Sequence, residues 1–389
     1  MSTLKVTNIE HESTTNGGIQ LDNAGHVTVD GQQIPTAGAL SRRNLLYNGA
    51  MTVAQRGTSG STTSGGDCPS LDRWSCNDGG IADFTVSQST DAPAGFANSA
   101  KWACTATGSA TNDAFIEQKL EGQDIQHLEH GTSSAKDLTI SFWVKSNKTG
   151  EYSLWVENND ANRYFTTPGY TINTANTWEF KTITVPGDTG GSGFTNDNGV
   201  SIKIRWHLVL RTSFQGTPSG AWSTSASLRG QGSHVNLADS TSNEWYITGV
   251  QAEIGSKATS FEHRSFGDEL ARCQRYFQTS FASSPGTGNT DNTGIVLAGG
   301  STTGNTTTFI GPAHVQLAPR MRAAPTVTVY DLATPRATGK VHRHTYGLAG
   351  SNGNTATVTD INQNSFIVRS DSGISASGII FHYEVESEL

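Results

Sequence analysis

Basic residues are scarce in this chain of 389 residues: 26 Lys and Arg stand against 34 Asp and Glu, giving a net charge of −8. That balance leaves no electrostatic footprint for nucleic acid and no polybasic patch for an anionic membrane. No apolar run reaches the roughly 18 residues of a membrane-spanning helix, so membrane insertion is not expected. The opening MSTLKVTNIEHE lacks the apolar core of a signal peptide, which points to synthesis in a cytosol. There are 4 cysteines, Cys68, Cys76, Cys104 and Cys273, and none of them forms a C-x-x-C pair. Cys68 and Cys76 flank a turn-rich stretch and are placed to close a small loop. A chain this long does not depend on such a staple, however, and free thiols are expected, with Cys273 buried on a helix. Also missing are G-x-S-x-G, a P-loop, H-E-x-x-H and the D-x-D-x-D-G calcium loop. Ordinary hydrolase, nucleotide-binding and zinc-protease signatures are therefore absent, and no enzymatic activity is expected.

What is present is the composition of a β protein, with 43 Gly, abundant Ser, Thr and Asn, and 15% charged residues. Alternation at period two marks strands. The strongest run is Val200, Ile202, Ile204, Trp206, Leu208 and Leu210, set against Ser201, Lys203, Arg205 and His207. Leu138, Ile140, Phe142 and Val144 form another. In the stretch 245–254, Tyr246, Val250, Ala252 and Ile254 are expected on one face. The loops between runs are rich in Gly, Asn, Asp and Ser, which fits antiparallel strands in a jelly-roll β-sandwich over 43–262. Residues 1–42 carry only short alternating runs, Ile19/Leu21 and Val27/Val29, too little to bury a core alone. A β attachment or stem segment that pairs with other copies of itself is the preferred reading. One short helix is expected in a connector, 263–279, with Ser265 and Asp268 as a capping box and Asp268 and Glu269 suiting the positive end of the dipole. Leu270, Cys273, Tyr276 and Phe277 then share a face at a domain or subunit junction. Residues 280–389 form a second, smaller β-sandwich-like domain.

Several stretches carry a family resemblance: NLLYNGAMTVAQRG (44–57), LDRW (71–74), SFWVKS (141–146), ANTWEFKTITVPGD (175–188) and YITGVQAEIGSKATSFEHRSFGDELARCQRYF (246–277). With APTVTVYD (324–331) and the ending EVESEL (384–389), they resemble bacteriophage tail-fibre or virion-fibre proteins of the marine or cyanobacterial phage type. The region 44–262 is similar to a jelly roll of the carbohydrate-binding-module kind. The resemblance implies a homotrimer, made in the host cytoplasm and located in the virion. It implies contact with the host surface; the expected partners are other virion proteins through the N-terminal segment and, as this reading's own hypothesis, a host-surface glycan. A head or neck fibre that binds other virion proteins is the alternative. A polysaccharide depolymerase is less favoured, because Glu157, Asp160, Asp188 and Asp197 are not tied into one cleft by any spacing.

Sugar binding requires an aromatic face beside polar groups, because C–H-rich sugar faces stack on rings while hydroxyls need partners. Trp155, leading into Asn158, Asp160, Arg163 and Tyr164, is the best candidate group, joined by Trp222 in the long loop near Arg229. These aromatics divide evenly between ligand-facing and packing roles. Trp143, Trp178 and Trp206 are expected in the core or flanking a sheet. No cofactor is expected. The resemblance implies that a structural calcium ion is conceivable, with Glu253 in the closing strand. It also makes an axial metal site conceivable at His342 and His344, whose plainer reading is surface histidines on a Gly-rich hairpin.

Overall fold

A computed structural model describes residues 8–9, 18–21, 27–29, 32–33, 42–62, 65–282, 285–299, 312–346, 349–370 and 378–389. The protein is mostly β. Its largest unit is a sandwich of two antiparallel sheets. The strands are β1 (Ser59–Ser61), β2 (Ser75–Asn77), β3 (Asp83–Ser89), β4 (Ser99–Ala106), β5 (Ala114–Glu121), β6 (Leu138–Ser146), β7 (Leu154–Asn158), β8 (Arg163–Thr166), β9 (Glu179–Val185), β10 (Val200–Val209) and β11 (Glu244–Ile254). One sheet has six strands in the order β9-β6-β11-β4-β3-β1, and the other has five in the order β8-β7-β10-β5-β2. The chain crosses repeatedly between the sheets, as in a jelly roll.

The inner faces explain the alternation. Ile202, Ile204, Trp206 and Leu208 of β10 are buried, as are Leu138, Ile140, Phe142 and Val144 of β6. Trp206 joins the two layers, with its ring 5.7 Å from Trp74 and 5.8 Å from Phe142, both edge-on.

The closing strand departs from the expected pattern. Trp245 and Ile247 are in the core, followed by Val250 and Ala252, while Tyr246 faces outward. The face changes because β11 carries an extra residue opposite Ser141–Trp143 of β6. Gly249 sits at this bulge with φ +60, a conformation that glycine adopts without strain. A Cβ there would also stand 2.6 Å from the Phe96 ring. Tyr246 is therefore corrected to the outer face.

Cys68 and Cys76 are bonded to each other, correcting the expectation of free thiols. Backbone bonds from Cys68 N to Trp74 O (2.8 Å) and from Cys76 N to Gly66 O (2.9 Å) fold the loop back on itself. This brings the two Cα atoms to 4.8 Å, within the span of a disulfide. Cys104 and Cys273 are free and buried.

The connector helix runs Phe266–Gln274, and Ser265 caps it by accepting from the Asp268 N–H at 3.2 Å. A single further turn lies at Gly122–Ile125. Cys273, Tyr276 and Phe277 are buried and Leu270 is half-buried. Phe277 already belongs to a strand, Phe277–Thr279. Tyr276 donates its hydroxyl to Glu121 of the sandwich, and Arg275 pairs with the same carboxylate at 2.8 Å. The Arg73 guanidinium lies 3.4 Å from the Tyr276 ring centre, and that of Arg56 lies 4.0 Å from Phe277. The helix and the strand after it are thus fastened to the sandwich by charge and ring contacts.

Strand Phe277–Thr279 pairs with the long strand Gly378–Glu386, around which the C-terminal sheet is built. Ile379, Phe381 and Val385 share its core with Val341, Phe366 and Val368. At the other end of the chain, Asn8–Ile9, Ile19–Leu21, Val27–Val29 and Gln32–Gln33 form a four-stranded antiparallel sheet with Ile9 and Ile19 exposed.

Candidate functional site

The outer face of the five-stranded sheet concentrates rings and charges. Cross-strand pairing puts Thr166, Trp155, Arg205, Glu117 and Ser75 in one row, and Tyr164, Glu157, Lys203 and Lys119 in the next. Side chains in such rows stand within reach of one another. The Trp155 and Tyr164 rings stack at 5.3 Å and 7°. The guanidinium groups of Arg205 and Arg229 lie 5.1 Å and 5.3 Å from the Trp155 centre. Arg205 also covers Phe115 at 3.7 Å.

The cations on this face meet carboxylates, with Lys119 sharing Glu117 at 4.0 Å. Arg205 pairs with Glu117 at 2.7 Å, Lys203 with Glu157 at 3.1 Å, and Arg229 with Asp113 at 2.8 Å. The pairing leaves the face polar with its charges largely balanced. It continues into a cleft of about 740 Å³ between the sheet and the C-terminal region. Phe115, Glu117, Lys119 and Arg205 line one wall, and Arg322, Thr326, Glu386 and Leu389 line the other.

At one end of the cleft, Arg56 stands among four carboxylates: Glu386 at 2.9 Å, Glu388 at 3.3 Å, Asp67 at 3.5 Å and Asp72 at 3.8 Å. Burial, followed by a hydrogen bond with Glu386, pushes the Asp67 carboxyl above its usual range, while that same bond holds Glu386 below its own.

The expected glycan residues fall into separate environments. Trp155 is only 2% exposed, which corrects its reading as an exposed ring. Tyr164 and the two arginines cover it, and its indole N–H has no acceptor among the described residues. Tyr164 is half-buried on the outer face, where its backbone pairs with Ser223 of the long loop. Asn158 is buried and accepts from the Ala161 N–H, shaping the β7–β8 turn. Asp160 accepts from the Thr195 N–H at 3.0 Å and from the Ser201 hydroxyl. Arg163 holds the buried Asp188 through Nε at 2.8 Å. Trp222 is half-buried against Phe165 and His130, with Nε1 donating to Pro186 O at 2.7 Å. Trp155 and Tyr164 are therefore brought together, while the other four hold turns and loops in place.

Sequence reading missed Arg205, Glu117, Phe115 and Lys119. Alternation puts Arg205 on the outer side of its strand, but its carboxylate partner Glu117 lies 88 positions away in sequence. Glu253 accepts from the Thr259 N–H at 2.8 Å and from the Thr259 hydroxyl at 2.6 Å, so it fastens the turn after β11. His342 and His344 are buried rather than on the surface, because the strand Lys340–Tyr346 is hydrogen-bonded on both edges. His342 Nδ1 lies 2.8 Å from Asn352 Oδ1. Among the described residues no group of three or more His, Cys, Asp or Glu is arranged to hold a metal ion.

No family model and no curated protein matches the sequence. Solved structures to which the chain is similar include the enzymatically active domain of bacteriophage CBA120 tailspike protein 4, at 13% identity and TM-score 0.30. The match covers 54% of this chain and 21% of that one, so the chain spans about a fifth of the tailspike's length. The family 11 carbohydrate-binding module of the cellulase Lic26A-Cel5E of Clostridium thermocellum matches at 14% identity and TM-score 0.28, covering 59% of this chain and 100% of the module. The CBM22-1 xylan-binding domain of Xyn10C from Paenibacillus barcinonensis matches at 12% identity and TM-score 0.28, covering 53% of this chain and 100% of that domain. Overlaps this slight decide neither ligand nor activity, and the jelly-roll description rests on the sheet order given above.

Proposed function

We propose that this protein is a phage fibre component that attaches the virion to its host by non-covalent binding of surface glycan along the outer face of the five-stranded sheet. The observation that carries the reading is the stacked Trp155–Tyr164 pair, set among Arg205, Glu117 and Lys203, of which Arg205 and Glu117 also line the cleft. The half-buried Tyr164 ring, backed by the buried Trp155, offers the apolar surface that a sugar face needs, and the paired charges offer donors and acceptors without demanding a charged ligand. Binding of this kind is weak per site and gains from multivalency. The exposed Ile9 and Ile19 of the small N-terminal sheet support self-association, read here as a homotrimer, with the same segment joining other virion proteins.

Binding without hydrolysis is favoured because the candidate carboxylates are engaged: Glu157 on this face by Lys203, Asp160 in the β7–β8 turn by Ser201 and Thr195, and the buried Asp188 by Arg163. Purified protein is expected to bind host envelope and to block adsorption of the phage without releasing reducing ends. Failure to bind and to block removes the receptor role and leaves the structural-fibre reading. Release of reducing ends makes the protein a depolymerase.

A further inference from the structure

The opposite outer surface, on the six-stranded sheet, carries a second set of rings. Phe180 of β9 is 48% exposed and lies directly across from Trp143 of β6, with ring centres 5.4 Å apart. Trp178, just before β9, meets Tyr246 of β11 edge-on at 6.2 Å. Lys145 lies between these two, 4.3 Å from the Tyr246 centre and 5.3 Å from that of Trp178. Trp143 and Trp178 are both half-buried. From β9 through β6 and β11 to β4 the strip is about 14 Å wide, given roughly 4.8 Å between strands.

The polar handles of these rings are already fixed. Trp178 Nε1 donates to Asp91 at 3.1 Å, and the Tyr246 hydroxyl donates to Glu244 at 2.7 Å. Charges around the strip are matched one to one: Lys145 with Asp91 and Lys101 with Glu244. A complementary ligand therefore brings no net charge. It brings apolar faces for the rings and hydroxyls for the lysines and carboxylates.

We infer that the Trp143–Phe180–Trp178 strip is a second glycan-binding surface, which takes a neutral, hydroxyl-rich polysaccharide chain on the side of the sandwich opposite the first site. The proposal rests on the glycan reading above and adds bivalency to it: one jelly roll grips two chains, or two stretches of one chain. A second copy of this protein is the rival occupant. The protein–protein alternative draws less support, because a stable subunit contact needs on the order of 800 Å² per partner, more than three ring side chains supply.

The test is affinity electrophoresis of the full chain through gels containing a soluble neutral β-glucan, xylan or mannan, with sedimentation run in parallel. Phe180→Ala/Trp178→Ala is expected to keep its melting temperature and sedimentation and to lose at least fivefold in affinity for the retarding polymer. Phe180→Trp is expected to retain it. Trp155→Ala/Tyr164→Ala should lose affinity separately, and the quadruple variant should migrate as in a blank gel. Wild-type retardation that Phe180→Ala/Trp178→Ala leaves unchanged, while Trp155→Ala/Tyr164→Ala abolishes it, overturns the strip and leaves the first site standing. A change in sedimenting mass makes the strip a subunit contact and also overturns it. Absence of retardation in wild type removes the glycan reading and the strip with it.

Discussion

The two outer faces of the sandwich use similar residues in opposite ways. On the five-stranded sheet the largest ring, Trp155, lies under Tyr164, Arg205 and Arg229, and the C-terminal region faces Arg205 and Glu117 across a cleft. On the six-stranded sheet Phe180 and the half-buried Trp143 and Trp178 stay accessible, and the lysines lie among rings rather than across the sheet. The cause is register. Arg205 stands opposite both Trp155 and Glu117, so one guanidinium serves a ring and a carboxylate at once. Lys145 stands opposite Tyr246, and its carboxylate comes from Asp91, outside the strand rows. One face is thus a tied network leading into a cleft, and the other is an open strip.

The comparison breaks most completely if the layer between the faces is removed. Trp206→Ala is expected to destabilise the sandwich by about 3–5 kcal/mol, read by urea denaturation, because its ring spans both sheets. Both faces should then fail together, and retention of either would show that the sheets are held independently. Breaking the ties one face at a time sharpens the contrast. Arg205→Ala leaves Glu117 with little solvent and is expected to cost about 2 kcal/mol. Lys145→Ala breaks a pair whose carboxylate is half exposed and is expected to cost less than about 1 kcal/mol. Equal losses would contradict the network account.

Acid should reach the two sides at different pH. His234 lies beside β10, with Nδ1 accepting from the Ser153 N–H at 3.0 Å, and burial pushes it down to about 3. The unfolded chain takes up this proton near pH 6.5 and the folded chain refuses it, so stability is full above 6.5 and declines as pH falls toward 3. Glu179, at the edge of the six-stranded sheet, is held at about 2: burial opposes this, but bonds from Lys181, Thr174 and Asn173 outweigh it. Its contribution is present above about 4.5 and is lost as pH falls toward 2. Melting temperatures between pH 7 and 5 should therefore fall in wild type and fall less in His234→Gln. Glu179→Gln should differ from wild type in slope only below about pH 5, the smaller effect of the two.

Much of this architecture is legible in the sequence where a single period controls burial. The alternation of Val200–Leu210 and Leu138–Val144 names the inner faces, and Ser265 with Asp268 names the helix start. Legibility stops where a distant segment decides the outcome. Tyr246 changes face because Gly249 inserts one residue opposite β6, and no local period records that. Trp155 reads as exposed because its polar neighbours in sequence are turn residues, whereas its cover comes from Arg205 and Arg229. Cys68 and Cys76 read as free because chain length gives no reason for a staple, whereas loop hydrogen bonding sets them opposite each other. For the strip on the six-stranded sheet, Trp143 and Trp178 are correctly seen as sheet-flanking, but their alignment with Phe180 and Tyr246 depends on pairing across three strands.

The central claim is tested most directly by equilibrium binding of the full chain to immobilised host envelope polysaccharide, with Trp155→Ala/Tyr164→Ala measured beside wild type. The account predicts saturable binding by wild type and a loss of about tenfold or more, roughly 1.4 kcal/mol, in the variant, measured well below its lowered but still cooperative melting transition. A wild type that does not bind, or a folded variant that binds as wild type does, contradicts it.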